Sequence, residues 1–204
     1  MRILIAGASS ALGRATAAQA RAAGHHVIAV GSSAARLDAV DADDRLVCDL
    51  TSWDAVSTLA ESVGEVDALV HLVGGWRGGG GLAGQSDEDW DWLEARVVGT
   101  LRHTTRAFAP AIGESTAGRI VIVSTTGLER PTAGNASYVA LKAAAETWLA
   151  AVGHALRATP ATTHVIRVKA LVSAEEREAE PDRAFDGYSD VEDVAGEIVG
   201  LVGS

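Results

Sequence analysis

Short runs of Val, Ile and Leu alternate with longer segments of helical periodicity along this 204-residue chain, and that alternation constrains the fold most strongly. Runs this short and apolar are typical of parallel strands covered on both faces by crossover helices. The predicted strands cover residues 3–6, 27–30, 46–48, 68–73, 120–124 and 164–168. The predicted helices cover residues 12–23, 53–63, 88–109, 136–157 and 191–202, with a short one near residue 37. The pattern predicts an α/β fold: a doubly wound parallel sheet of about six strands, with ligands beyond the carboxyl ends of the strands.

Two predicted helix starts carry a matching signal. Ser86 with Asp89, and Ser189 with Glu192, have the spacing of a serine cap followed by an acidic residue in the first turn. We therefore expect helices to begin beside Ser86 and Ser189.

Length and composition favour a single domain over residues 1–204. Hydrophobic residues make up 48% of the chain, and no proline-rich, serine-rich or charged linker divides it. The net charge of −10 argues against nucleic acid as a partner, because binding a phosphate backbone needs clustered Lys and Arg. Cys48 is the only cysteine, so no intrachain disulfide is expected, and no metal site is indicated. The first apolar run is too short for a signal peptide or a membrane span, so we expect a soluble cytoplasmic protein.

A glycine-containing turn connects the first predicted strand to the first predicted helix. Its residues are Gly7, Ala8, Ser9, Ser10, Ala11, Leu12 and Gly13. The start of a helix offers unpaired main-chain amides and a positive dipole end, and both suit a pyrophosphate. The alternative is a tight strand-to-helix connection in which Gly13 only permits close packing. The position after the first strand favours dinucleotide binding.

Tyr138 and Lys142 lie four residues apart in an alanine-rich segment that is predicted to be helical. Their side chains are therefore expected on the same face of the helix. A neighbouring cation favours the ionised form of a phenol, so the pair is predicted to act as a proton donor tuned towards neutral pH.

The glycine turn and the Tyr-x-x-x-Lys pattern together resemble the short-chain dehydrogenase/reductase family, and the resemblance runs from Arg2 to Val202. It implies a Rossmann fold, a nicotinamide dinucleotide cofactor, a small-molecule substrate and a homodimer or homotetramer. The family's common pattern is Gly-x-x-x-Gly-x-Gly, and Ala11 stands here in place of the middle glycine. Its methyl group narrows the approach to the pyrophosphate.

The resemblance also bears on the choice of cofactor. NAD-preferring relatives carry an acidic residue after the second strand, and Gly31 occupies that position here. Ser32, Ser33 and Arg36 are close enough in sequence to receive a 2′-phosphate, so NADP(H) is favoured over NAD(H). The alternative is that these three residues form an ordinary polar turn.

Further cofactor contacts are implied after the third and fourth strands. Asp49, followed by Leu50, matches the family's adenine-contacting aspartate; alternatively it caps the next helix. Gly74 matches the glycine at which the main chain comes near the cofactor.

The resemblance gives Tyr138 and Lys142 catalytic roles. The tyrosine exchanges a proton with the substrate, while the lysine holds the nicotinamide ribose and lowers the pKa of the tyrosine. The family's serine stands thirteen residues before the tyrosine, where this chain has Thr125 with Ser124 beside it. A threonine hydroxyl can still donate a hydrogen bond, so Thr125 is the first candidate and Ser124 the second. Alternatively, residues 124–126 only end the strand and satisfy main-chain groups.

Several segments depart from the family's pattern. The asparagine of the proton relay aligns with Arg96, which cannot accept a hydrogen bond as an amide does. The Asn-Asn-Ala-Gly segment appears as His71 to Gly74, and we expect His71 to be a packed strand residue. Ser173 and Ala174 replace a Pro-Gly step near the nicotinamide. The family's usual last strand does not follow the final helix, so we expect part of the substrate wall and of the common subunit interface to be absent.

Trp76 lies in a glycine-rich segment, 74–79, that is similar to a segment of dihydropteridine reductases. The indole could stack on a flat heterocycle, or it could cover the edge of the core within a flexible loop. Both interpretations are open at the level of sequence.

These features predict an NADP(H)-dependent carbonyl reductase or alcohol dehydrogenase. Hydride passes between nicotinamide C4 and the substrate carbon while Tyr138 transfers the proton, and the protein supplies orientation and electrostatics. The alternative is a non-catalytic dinucleotide-binding or redox-sensing protein of the same fold. Retention of Tyr138 and Lys142 favours the enzyme, because a sensor has no evident need of that pair.

Overall fold

The computed structural model describes residues 1–204 and contains one six-stranded parallel sheet. The strands are β1 (Arg2–Ala6), β2 (His26–Gly31), β3 (Asp44–Val47), β4 (Ala68–His71), β5 (Arg119–Thr125) and β6 (Thr162–Val168). Their spatial order is β3-β2-β1-β4-β5-β6. The order reverses between β1 and β4, which places the switch point beyond the carboxyl ends of these two strands. The predicted doubly wound sheet is confirmed.

Helices cover both faces of the sheet. They are α1 (Ala11–Ala22), α2 (Ala34–Leu37), α3 (Trp53–Val63), α4 (Asp87–Leu93), α5 (Thr100–Glu114), α6 (Ala136–Ala155), α7 (Ala174–Ala179) and α8 (Val191–Val202). Successive strand residues point to opposite faces, so Leu4 joins the apolar cluster under α3, α5 and α6, while Ile5 joins the cluster under α1 and α8. Burial on both faces explains why the strands are almost uniformly apolar.

The single helix predicted over residues 88–109 is wrong in detail. The structure has α4, then a π-helical turn at Glu94–Gly99, then α5, which continues past Pro110 to Glu114. No proline marks the turn, so the apolar periodicity alone predicts one continuous helix. The turn carries Arg96, and π-helical turns frequently occur at functional sites.

The two predicted helix starts have different outcomes. The Ser86 hydroxyl accepts a hydrogen bond from the Asp89 amide at 3.1 Å, as expected for a cap of α4. The cap predicted at Ser189 is wrong, because Ser189 lies in the short strand β8 (Ser189–Asp190). This strand pairs with β7 (Leu171–Val172) in a second, two-stranded sheet, and Asp190 takes the N-cap position of α8.

No helix is long and apolar enough to cross a membrane. The structure contains no cluster of His, Cys, Asp and Glu side chains that could hold a metal ion. The extent of the domain over residues 1–204 and the cytoplasmic location stay predictions.

Candidate active site

A cavity of about 1110 Å³ opens at the carboxyl ends of β1, β4, β5 and β6. Its lining comes from the first turn of α1, the loop after β4, the end of β5, the start of α6 and the segment after β6. The predicted site residues that line it are Ser10, Ala11, Leu12, Gly74, Ser124, Thr125, Tyr138 and Lys142. The structure therefore brings the start of α1 and the candidate catalytic side chains to one cavity at the switch point.

The glycine turn is held by close main-chain contacts. A Cβ atom at Gly13 would lie 2.5 Å from the carbonyl oxygen of Gly7, and Gly7 itself has a φ of +83°, a region that favours glycine. The Ser10 hydroxyl accepts from the Gly13 amide at 3.0 Å and donates to the Gly7 carbonyl at 2.9 Å. Gly13 therefore permits the close packing of α1 against the turn, as the alternative interpretation requires.

The turn also leaves room for a pyrophosphate. The first turn of a helix has main-chain amides without intrahelical acceptors, and Ser10, Ala11 and Leu12 at the start of α1 line the cavity. A side chain at Gly7 would bring its Cβ to 3.0 Å from the Val73 amide nitrogen and would fill the space between β1 and the loop after β4. The residues present therefore fit a dinucleotide. Relative to the glycine pattern of the family, Ala11 adds one methyl group.

Ser32, Ser33 and Arg36 do not line the large cavity; they lie at the carboxyl end of β2, next to β1. One Nη atom of Arg36 donates to the Ser32 hydroxyl at 3.3 Å, and both side chains are exposed. Ser33 takes the N-cap position of α2 without a side-chain cap bond. Ser9 lies nearby, with its Oγ 3.7 Å from the position of a Cβ at Gly31. The Arg36 guanidinium and the Ser32 hydroxyl are therefore exposed at the end of β2, beside the half-buried Ser33.

Asp49 is exposed and does not cap α3, because Ser52 takes that position. Its Oδ1 accepts from the amide of Thr51 at 2.9 Å and from the Thr51 hydroxyl at 2.6 Å. These bonds, and then the charge of Arg96, hold the pKa of Asp49 below its usual value. The next residue, Leu50, is buried. The helix-cap alternative is wrong, and the carboxylate is ionised beside the end of β3.

Lys142 lies between β5 and the open space beside Gly74. Its ammonium donates to the Val123 carbonyl at 2.8 Å, and a Cβ at Gly74 would meet only this ammonium, at 3.9 Å. Burial lowers the pKa of Lys142 to about 8, against the opposing effect of the Glu146 carboxylate. The amine therefore faces a space that no side chain fills.

Tyr138 lies beside Lys142 as the spacing predicted, but the pKa of its phenol is raised. The ammonium nitrogen is 5.8 Å from the centroid of the tyrosine ring. Burial disfavours the phenolate and is the cause of the raised pKa. The expectation that the neighbouring lysine lowers this pKa does not hold in the protein alone, because Lys142 is itself desolvated and bonded to a carbonyl.

Ser124 and Thr125 end β5, and both are buried. They point to opposite faces of the strand. Thr125 Oγ1 accepts from the Gly127 amide at 3.0 Å, which satisfies the turn and leaves its hydroxyl hydrogen free. Ser124 Oγ has no partner of good geometry, although it lies near enough to Glu146 to contribute to the lowered pKa of that carboxyl, which Arg167 chiefly causes. Either hydroxyl can donate to a substrate oxygen.

His71 is a packed residue, as expected. It is fully buried, and its two ring nitrogens lie 3.2 Å from the Thr100 hydroxyl and 3.1 Å from the Thr104 hydroxyl. Burial lowers its pKa to about 3, so the ring is neutral.

Arg96 does not reproduce the asparagine of the relay. Its guanidinium stacks 4.3 Å from the centroid of the Trp92 ring, and the guanidinium of Arg77 lies at the same distance. Arg77 is also paired with Asp89 at 2.9 Å. Arg77 and Arg96 thus both form cation–π contacts with Trp92, and the contact of Arg77 stabilises the loop after β4.

Trp76 lines the cavity and is 61% exposed. It does not cover the edge of the core, so the second of the two sequence interpretations is wrong.

Other lining residues were missed from the sequence. After β6, Lys169 and Glu176 line the cavity. Lys169 is held by the Asp186 carbonyl at 2.5 Å, and Glu176 forms a capping box with Ser173 at the start of α7. The Ser-x-x-Glu spacing was a signal that could have predicted this helix.

Comparison with known proteins assigns the family. Residues 1–179 match the family model of the short chain dehydrogenases. An uncharacterized oxidoreductase of Mycobacterium tuberculosis (strain H37Rv) is 32% identical over 143 residues, which are 68% of this chain and 57% of the relative. L-xylulose reductase of Mesocricetus auratus is 38% identical over 74 residues, 34% of this chain and 30% of that enzyme. The matched segments span between 30% and 57% of these curated relatives.

The architecture also matches solved structures. An NADPH-bound short chain oxidoreductase from Pseudomonas aeruginosa PAO1, which contains an atypical catalytic center, superposes with a TM-score of 0.87 at 20% identity. The match covers 98% of this chain and 89% of that one. At this identity the likeness concerns the fold. The family model covers most of the residues, and the chain belongs to the short-chain dehydrogenase/reductase family, a family of oxidoreductases that bind NAD(P).

Proposed function

We propose that this chain is an NADP(H)-dependent oxidoreductase that transfers a hydride between nicotinamide C4 and a carbonyl or alcohol carbon of a small molecule. Tyr138 is the general acid or base. The observation that carries the proposal is that one cavity joins the start of α1 to Tyr138 and to the Lys142 ammonium. Oxidoreductases among the relatives support the reaction class.

The glycine turn and Lys142 are the proposed holders of the cofactor, together with Asp49 and Leu50 at the adenosine end. The first-turn amides of α1 bind the pyrophosphate, and Lys142 donates its remaining N–H groups to the ribose in the space beside Gly74. A bound nicotinamide supplies or accepts the hydride.

Proton transfer falls to Tyr138. The phenol is protonated at neutral pH, and burial raises its pKa further, which suits a proton donor to a carbonyl oxygen. The free hydrogen of the Thr125 hydroxyl orients the substrate oxygen, with Ser124 as the second candidate.

NADP(H) is the preferred cofactor in this proposal. Gly31 places no carboxylate where a 2′-phosphate must sit, and Arg36 with Ser32 and Ser33 offers a cation and two hydroxyls. An anionic phosphate forms charge-assisted hydrogen bonds with such a set.

A homodimer or homotetramer is part of the proposal. A groove of about 480 Å³ lies between α5 and α6, and its lining includes Ala109, Trp148 and Val152. Sedimentation at the mass of a monomer, at micromolar concentration, would contradict it.

The reaction is tested by mixing the protein with NADPH and a panel of ketones, aldehydes, quinones and pterins. Loss of absorbance of the reduced nicotinamide is followed, and NADPH binding is measured by fluorescence on the same samples. The proposal expects turnover of at least one carbonyl class. Tight NADPH binding without turnover of any compound supports the alternative, a non-catalytic dinucleotide-binding or redox-sensing protein.

A further inference from the structure

The loop after β4, residues 74–81, which we call the glycine loop, contributes Gly74, Gly75 and Trp76 to one wall of the cavity. Gly79, Gly80 and Gly81 have φ angles of +109°, +64° and +67°, all in a region that favours glycine. Glycines contribute no side chains to pack, so the position of this wall depends on contacts from elsewhere in the chain.

Gln85 provides such contacts with both polar atoms of its side-chain amide, Nε2 and Oε1. Its Nε2 lies 3.1 Å from the Gly79 carbonyl oxygen, 3.3 Å from that of Gly81 and 3.4 Å from that of Gly134. Its Oε1 accepts from the Ser137 amide at 3.1 Å. One amide group therefore joins the glycine loop to the start of α6.

The bond to Ser137 supplies a missing helix cap. The first-turn amides of a helix lack intrahelical acceptors, and Asn135, at the N-cap position of α6, does not bond them. Its Oδ1 accepts from the Thr132 amide instead, at 2.7 Å. Gln85, 52 residues away from Ser137 along the chain, satisfies this amide, and Tyr138 is the next residue.

A main-chain bond reinforces the same junction. The Gly79 amide donates to the Gly134 carbonyl at 2.7 Å, beside the weaker approach of Gln85 to that oxygen. A Cβ at Gly78 would lie 2.6 Å from the Gly134 carbonyl oxygen, so the loop and the segment before α6 are in close contact.

We propose that Gln85 is a positioning residue: it ties the glycine loop to the first turn of α6 and thereby fixes Tyr138 relative to the wall that carries Trp76. The catalytic consequence rests on the proposed function, whereas the tie itself does not. Misplacing a reacting group by about 1 Å can reduce the rate about 100-fold, so the tie matters for turnover.

The test compares Gln85→Met with Gln19→Met, the same substitution at the only other glutamine of the chain. Gln19 joins α1 to the Glu192 carbonyl at 2.9 Å, away from the cavity lining. We expect amide hydrogen exchange over residues 133–142 to become about tenfold faster in Gln85→Met. We expect kcat for a compound that the wild type reduces to fall about 10-fold to 100-fold. The dissociation constant for NADPH stays within about twofold, and Gln19→Met leaves exchange over 133–142, NADPH binding and kcat unchanged.

Gln85→Glu separates the contribution of the Oε1 acceptor from that of the Nε2 donor. The carboxylate keeps an acceptor for the Ser137 amide but loses the donors to the glycine loop and repels the three carbonyl oxygens. We therefore expect kcat to fall as it does in Gln85→Met while amide exchange over residues 133–142 stays near that of the wild type, because α6 keeps its cap but the tie to the glycine loop is lost. Wild-type kcat in Gln85→Glu would overturn the positioning role of the tie.

The outcomes test three claims separately: the tie, the positioning role of Gln85 and the proposed function. Unchanged exchange in Gln85→Met overturns the tie. Faster exchange with unchanged kcat overturns the positioning role and leaves the oxidoreductase function standing. Absence of turnover in the wild type defeats the proposed function and with it the catalytic role of Gln85, while the exchange measurement still decides whether the tie exists.

Discussion

The carboxyl edge of the sheet has two halves that are held together in different ways. At the ends of β1 to β3 the contacts described above join near neighbours in sequence, such as the Ser10 hydroxyl with the Gly13 amide and Asp49 with the Thr51 amide. At the ends of β4 to β6, side chains reach across long stretches of sequence. Gln85 bonds Ser137, and Lys142 bonds the Val123 carbonyl.

The difference explains where the chain keeps the family's pattern and where it departs from it. A Cβ at Gly13 would lie 2.5 Å from the Gly7 carbonyl oxygen, so this position accepts no larger residue without a shift of main chain. Side-chain contacts can be rebuilt with other residues. The departures at His71, Arg96 and Ser173 lie in the second half, and each of these residues has other partners there. The departure in the first half, Ala11, adds only a methyl group.

The largest effect is expected for His71 and concerns acid stability. Its pKa is about 3 in the folded protein, below the ordinary 6.5, because the ring is buried. Between these values the unfolded chain binds a proton that the folded chain does not. The free energy of unfolding therefore falls as the pH falls through this window, by roughly 4 kcal/mol, and the contribution is complete above pH 6.5.

Urea unfolding of the wild type and His71→Asn at several pH values measures this contribution. The amide does not titrate, so the variant should lose less stability between pH 6.5 and pH 3. Equal losses in the two proteins would mean that the polar contacts of the second half do not control its acid stability.

The next largest effect is expected for Gly13→Ala in the first half. The added Cβ must displace main chain, at a cost of about 3 kcal/mol in unfolding free energy, and NADPH binding weakens with it. Gly74→Ala in the second half meets only the Lys142 ammonium, at 3.9 Å, and should change stability by less than about 0.5 kcal/mol. Gly200→Ala is the control, since a Cβ there meets nothing within 4 Å. Equal losses for Gly13→Ala and Gly74→Ala would abolish the contrast between the halves.

A smaller effect is expected at the end of β2. Arg36→Ala should weaken NADPH binding about tenfold and leave NADH binding unchanged, because only NADPH carries the 2′-phosphate. Arg157→Ala, on an exposed arginine that bonds the His154 carbonyl, is the matched control. Titration of protein fluorescence with both cofactors gives the two dissociation constants, and an equal loss for both would remove Arg36 from the choice of cofactor.

The smallest effect is a shift in pH dependence. The Glu146 carboxylate raises the pKa of Lys142 against the effect of burial, so Glu146→Gln should lower that pKa further below its ordinary value. The pH above which NADPH affinity declines should then move down. Glu178→Gln, on α7, is the control. An upward shift would contradict the assigned interaction.

Most of the sheet was predictable from the sequence because its signals are local. Strand β4 still ends two residues earlier than predicted, at His71, and the π-helical turn at Arg96 was missed. A prediction from periodicity uses only the spacing of the apolar residues. One extra residue in a helical turn changes that spacing very little, so the π-helical turn is not visible in the sequence. The start of α7, in contrast, was available from the Ser173 and Glu176 spacing.

In the candidate site, too, the features set by local sequence were predictable and those set by distant segments were not. The Tyr138 and Lys142 pair follows from helix geometry, and the structure brings both to the cavity. The raised pKa of Tyr138 did not follow, because burial depends on which segments cover the ring. Gln85 was equally hidden, since its partners lie up to 52 residues away and are main-chain atoms, which leave no mark on residue types.

The central claim, that Tyr138 transfers the proton, is tested most directly by comparing Tyr138→Phe with Tyr188→Phe. Tyr188 is the only other tyrosine, and its hydroxyl accepts from Arg183 at 3.0 Å outside the cavity lining. NADPH affinity and NADPH-dependent reduction of one carbonyl compound are measured for the wild type and both variants. We expect Tyr138→Phe to bind NADPH normally and to lose about 100-fold or more in kcat, while Tyr188→Phe keeps both. Turnover by Tyr138→Phe at the rate of the wild type would contradict the claim.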